Sequence, residues 1–158
     1  MNAKYDATTI AKWFIAWADH AENASMSNLK LQKILYYAQG HHVALHGEPL
    51  FSDEIQAWSH GPVVPTVYRK FRDFGAGEIK FDEHVDFSWD DVDEEATRHL
   101  MLVWNTYGGF AAWRLRNMTH DDGPWKDHFV DGERNLVIPV ESLREHFSSR
   151  TRVSEPRA

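Results

Sequence analysis

The chain contains no cysteine, which excludes disulfides, thiolate nucleophiles and cysteine-based zinc or iron–sulfur centres; any metal would need histidine and carboxylate ligands. This absence is compatible with a reducing cytoplasm, where we place the protein. No run approaches the roughly 20 apolar residues that span a bilayer, and the first 22 residues lack the basic start and apolar stretch of a secretory signal, so we expect no membrane association and no export. Neither a G-x-x-x-x-G-K-[ST] loop nor a G-x-G-x-x-G fingerprint occurs, which leaves nucleotide use unsupported, and no G-x-S-x-G elbow is present. Basic residues are missing from one stretch in particular. Residues 82–95 carry eight carboxylates and no Lys or Arg, and outside them 16 acids face 17 bases, so the net charge of −7 is local. Such a stretch repels phosphate backbones and argues against a nucleic-acid partner, while it attracts a basic protein surface.

What the chain does hold is aromatic material. Seven Trp, nine Phe and five Tyr in 158 residues supply a single buried core, each fully buried side chain contributing roughly 1.5–3 kcal/mol. We therefore expect a mainly α fold: one compact domain of about six helices with minor short β elements, spanning residues 1–147, followed by a flexible tail at 148–158, which lacks apolar periodicity.

The punctuation places these helices. Asp6 or the following threonines can cap a first helix with Ile10, Trp13, Phe14 and Trp17 on its inner face. Ser27 can cap a second, over residues 28–46, with Leu31, Ile34, Leu35, Ala38, His42 and Leu45 as a stripe and Gly47 as its stop. Residues 51–58 fit a short strand or a helical turn, and Gly61-Pro62 reads as a turn. Pro65 suits the start of a third helix carrying Val64, Val67, Tyr68, Phe71 and Phe74 on one side. Partial alternation over residues 79–87 allows a small hairpin. A fourth helix follows over residues 91–107, its acidic start matching the helix dipole. A fifth covers 110–118 with Ala111, Leu115 and Met118 inward. Residues 135–138 can form a short strand, and Pro139 starts a last helix with Val140, Leu143 and Phe147 inward.

Three clusters invite a chemical reading, and none completes a site. His42 and His46 stand four apart on one helix face, a spacing at which two imidazoles can reach one metal ion, yet position 43 is Val, so the zinc-protease pattern fails. We expect no metal or other cofactor. Ser59-His60 are sequence neighbours and seldom make a nucleophile–base geometry. Thr119-His120-Asp121-Asp122 puts a histidine beside carboxylates, but it reads more simply as a tight turn in which Thr119 and Asp122 bond backbone groups and Trp125 anchors the path. From the residues alone, binding is favoured over catalysis; a small hydrolase or metal enzyme built on His60, His120 and Asp122 is the competing reading.

Taken together, the segment KLQKILYYAQG at residues 30–40 (with Leu31, Gln32, Lys33, Tyr36 and Tyr37), Pro49-Leu50-Phe51, Ile55-Gln56-Ala57-Trp58, His60-Gly61-Pro62-Val63, Pro65, Tyr68, and the later Thr119-His120 with Pro124-Trp125 resemble the Panacea domain, the SocA-like or phage-associated GepA-like family. The resemblance spans roughly residues 8–130, several spaced motifs in order being far more specific than any one. It implies an antitoxin that neutralises a cognate protein toxin by direct contact, the toxin encoded by the adjacent gene, or an adaptor that presents the toxin to an AAA+ protease. The motif residues read as mostly structural. For the partner surface we nominate Asp86, Phe87, Trp89, Asp90, Asp91, Asp93 and Glu94, where aromatic anchors lie in the acidic segment.

Overall fold

Capping side chains set the first two helices. The Asp6 carboxylate accepts the Thr9 amide at 2.8 Å and opens α1 (Ala7–His20); the Ser27 hydroxyl accepts the Lys30 amide at 3.2 Å and opens α2 (Asn28–His46), which stops at Gly47. In the computed structural model, which describes residues 3–21, 25–80 and 86–154, these are followed by β1 (Ile55–Trp58), β2 (Gly61–Val63) and α3 (Pro65–Phe71). Single 3-10 turns at Arg72–Phe74 and Trp89–Asp91 lead to α4 (Glu94–Tyr107). Then come α5 (Ala112–His120), the one-turn α6 (Gly123–Lys126), β3 (Val137–Ile138) and α7 (Val140–Ser154). The result is mainly helical with a small antiparallel sheet ordered β2-β1-β3, in which Ala57 pairs with Pro62 and Ile55 with Ile138.

Helix α2 is the axis. It packs against α1, α3, α4, α5, α7 and β2, so it is buried on every side and has no solvent face over its first three turns. That corrects the one-sided stripe expected from its apolar spacing. Lys30, Gln32, Lys33 and Gln39 are buried alongside Leu31 and Ile34, whereas Leu45, expected inward, is 45% exposed. Val43 takes the inward place.

Other expectations shift by a residue or a face. The turn in the β1–β2 hairpin is made by Ser59-His60, and Gly61-Pro62 lie in strand β2 instead. Tyr68 and Phe74, placed inward by spacing, are more than a third exposed, and Val140 and Ala111 also face solvent. Residues 79, 80, 86 and 87 form no strand, and the middle of the expected hairpin lies outside the described residues. The fourth helix starts at Glu94, inside its acidic run and not at residue 91, because Asp93 is the cap whose carboxylate accepts the Ala96 amide at 2.8 Å. Helix α7 continues past Phe147, where the apolar stripe ends, to Ser154.

Candidate functional site

Side chains from α2 meet the β1–β2 hairpin and the α5–α6 corner, and there the recurrent residues of the sequence motifs converge. The polar ones act as readers of backbone. Gln32 Oε1 accepts the Val64 amide at 2.8 Å, and Lys33 Nζ donates to the Pro62 carbonyl at 2.9 Å. Gln39 Oε1 accepts the amides of Leu50 and Phe51 while its Nε2 donates to the Phe51 carbonyl. Each bond satisfies a loop or strand group that burial would otherwise leave without water. Gly61 is required at the same place: its φ is +109°, and a Cβ there would lie 2.8 Å from Thr119 Oγ1 and 3.0 Å from Lys33 Cε. Leu31, Tyr36 and Tyr37 fill the core beside it, Tyr37 stacked on Tyr107 at 4.0 Å.

Around the hairpin, Trp58 meets Tyr68 edge-on at 5.1 Å, and its carbonyl accepts Trp125 Nε1–H at 2.7 Å. His120 lies flat on Trp125 at 4.0 Å, with Phe129 on the far side of the indole at 4.8 Å, and Pro124 is buried beneath. Burial chiefly, and then the Arg116, Lys33 and His60 charges, lower the His120 pKa. His60 itself sits exposed on the turn. Thr119 Oγ1–H donates to the Arg116 carbonyl, as the turn reading anticipates. Asp122 reaches further: its carboxylate accepts from Tyr36 Oη at 3.1 Å and faces His146 Nε2 of α7 at 3.5 Å, so its side chain ties α2, α6 and α7 together. His146 carries no sequence signal, since it pairs with Asp122 only through the packing of α7.

The acidic segment divides into carboxylates with internal partners and carboxylates without. Asp91 accepts the Ser88 amide at 2.9 Å in a capping box. Asp93 caps α4 and pairs with Lys4, which holds its carboxyl down at about 2, and Glu94 bridges to Arg98 at 3.2 Å. Asp86 and Asp90 make no side-chain bond with the described residues, although Lys12 Nζ donates to the Asp86 carbonyl at 2.9 Å. Among these acids Trp89 stands 48% exposed, seated edge-on upon Trp13, Trp17 and Phe87 with ring centroids 5.2–6.2 Å away. In the described part of the segment the Trp89 ring is thus backed by three aromatic rings and flanked along the chain by carboxylates. Two further large side chains that spacing did not single out, Leu102 on α4 and Trp113 on α5, are 62% and 64% exposed.

The family "Antitoxin SocA-like, Panacea domain" matches residues 31–126 of the chain. The protein "Antitoxin SocA" of Caulobacter vibrioides (strain NA1000 / CB15N) is 32% identical over 130 residues, which cover 76% of this chain and 68% of that protein. No solved structure matches.

Proposed function

The chain belongs to the SocA-like antitoxin family with a Panacea domain, and from that membership we propose that it neutralises a cognate protein toxin, encoded by the adjacent gene, by direct protein–protein binding. The observation that carries the reading is how the family's motif residues are used. Gln32, Lys33, Tyr36, Gly61, Thr119 and Trp125 are committed to hydrogen bonds and close packing within the fold, so partner choice falls to the surface. The acidic segment has the chemistry of an interface centre: Trp89, pre-positioned on three aromatic rings, offers a large apolar anchor at little cost in side-chain entropy. Asp86, Asp90 and their neighbours draw in a basic surface and set the encounter rate.

Co-expression with the neighbouring gene tests the reading. Growth rescue and co-purification are expected, with Trp89→Ala weakening the complex by about 2 kcal/mol, near thirtyfold in Kd. Asp86→Asn with Asp90→Asn should slow association in a salt-dependent way while leaving the fold intact, because neither carboxylate has a partner among the described residues. The toxin's level at rescue separates masking, which leaves it unchanged, from delivery to an AAA+ protease, which depletes it. A neighbour that is harmless when expressed alone sinks the antitoxin reading; wild-type affinity in both variants moves the interface elsewhere.

A further inference from the structure

The end of α2 and the start of α4 gather three imidazoles. His42 and His46 stand one turn apart with ring centroids 4.6 Å from each other, and His99 closes the triangle at 5.1 Å from His42 and 6.1 Å from His46. Three imidazoles on one tetrahedral zinc ion, bound at about 2.0–2.1 Å, hold their ring centres roughly 5 Å apart. Two sides of the triangle have that length, and the third, between His46 and His99, is about 1 Å longer.

Two of the rings are also anchored as ligands are. His42 Nδ1 lies 2.7 Å from the Glu48 carbonyl and His99 Nε2 lies 2.9 Å from the Ala38 carbonyl. A carbonyl only accepts, so those nitrogens carry the protons, and the lone pairs reside on His42 Nε2 and His99 Nδ1. Holding the outer nitrogen against a main-chain carbonyl is the usual way a ligating imidazole is oriented. The three rings border a cavity of about 120 Å³ that Glu48, Asp93 and Glu95 also line. Burial chiefly lowers the His42 pKa against the smaller opposing pull of Glu48 and Glu95, and Lys4, on the rim, is already paired with Asp93.

We propose that His42, His46 and His99 form a binding site for a divalent transition-metal ion of the zinc class, with Glu95 or water completing the coordination. Neutral imidazoles select zinc, copper or nickel over calcium and magnesium, which take oxygen ligands. As they stand, no three His, Asp or Glu side chains among the described residues could hold a metal ion, so the site requires the His46 ring to turn. It is exposed, lies on the last turn of α2, and makes no hydrogen bond with the described residues. His42 and His99 stay where their carbonyl bonds hold them. An ion held this way pins the end of α2 to α4.

The test uses the untagged full chain, stripped with a chelator and titrated with zinc chloride by calorimetry, then with cobalt(II) followed by visible absorption. One equivalent is expected, with a Kd of about a micromolar or below, a rise in melting temperature on loading, and the intense cobalt band of a four-coordinate site. His46→Ala should weaken binding at least about tenfold while the metal-free chain melts as before, since that ring is exposed; His20→Ala, at an exposed histidine of α1, should bind as the wild type does. The proposal is overturned by no stoichiometric uptake, or by several weak equivalents that His46→Ala does not change, which would mean an adventitious ion only. A cobalt spectrum of the six-coordinate aqua type would overturn it equally.

Discussion

Replacing Lys33 by methionine isolates the energetic weight of a buried amine. Lys33 is fully buried, and burial chiefly, with the Arg116 charge second, lowers its pKa from 10.5 to about 7. In the unfolded chain the amine returns to its ordinary value. Between about pH 7 and 10.5 the unfolded state therefore binds more protons than the folded one, and stability rises with pH through that window. From pH 7, where the folded amine is half protonated, to pH 9.5 the gain is about 3 kcal/mol at 1.36 kcal/mol per unit. Lys33→Met keeps the aliphatic stem and removes the titration. It also leaves the Pro62 carbonyl without its donor, at a cost of about 1–3 kcal/mol. At pH 7 relief of the amine's penalty and loss of the bond oppose each other, so the midpoint there reads only their sum and the slope decides. Urea denaturation of wild type and variant at pH 7 and pH 9.5 measures it, other lysines and tyrosines dropping out of the difference. The wild type should gain about 3 kcal/mol relative to the variant; parallel profiles would refute the reasoning, because they would mean that the amine keeps its water.

Two glycines give sharper local tests. Gly40 lies in α2, where alanine ordinarily adds about 1 kcal/mol of helix propensity, but a Cβ there would stand 2.2 Å from the Phe147 ring. Gly40→Ala should thus destabilise by about 1–3 kcal/mol, and Phe147→Leu in that background should recover part of the loss in thermal melts; no recovery would mean that the contact is not the cause. Gly61→Ala combines the positive φ with the 2.8 Å approach to Thr119 and should cost about 1–3 kcal/mol in urea denaturation; a change within about 0.5 kcal/mol would show that the hairpin relaxes freely.

Local chemistry was legible in the sequence, and mutual packing was not. Ser27 and Gly47 mark the two ends of α2 because capping and termination depend on residues a few positions apart. The burial of Lys30, Gln32, Lys33 and Gln39 depends on five other helices converging on α2, and no periodicity within the helix records that. The same limit explains Gly61: its role is set by Thr119 and Lys33, distant in the chain, so a local reading makes it a turn residue. Gln32, Lys33 and Gln39 bond main-chain groups of strands and loops distant in the chain, partners that spacing within residues 30–40 does not record. His99 was read as part of no cluster for a related reason, since only the docking of α4 on α2 brings it to His42. In the acidic segment the residue types were informative, and the Asp91–Ser88 cap and the Glu94–Arg98 pair are local, whereas the pairing of Asp93 with Lys4 emerges only from the packing of the N-terminal segment against α4.

The small sheet restricts the manner in which a partner can be met. Its outer strand β2 carries Pro62, which has no amide hydrogen to offer, and on the other side β3 is two residues long and runs straight into Pro139. Neither border can template an incoming strand through a ladder of main-chain bonds. A partner that meets this sheet cannot extend it by backbone pairing, whatever its own sequence; here it must fit side chain against side chain, which ties recognition at the sheet to shape and charge at particular residues and keeps copies of the sheet from zipping onto one another.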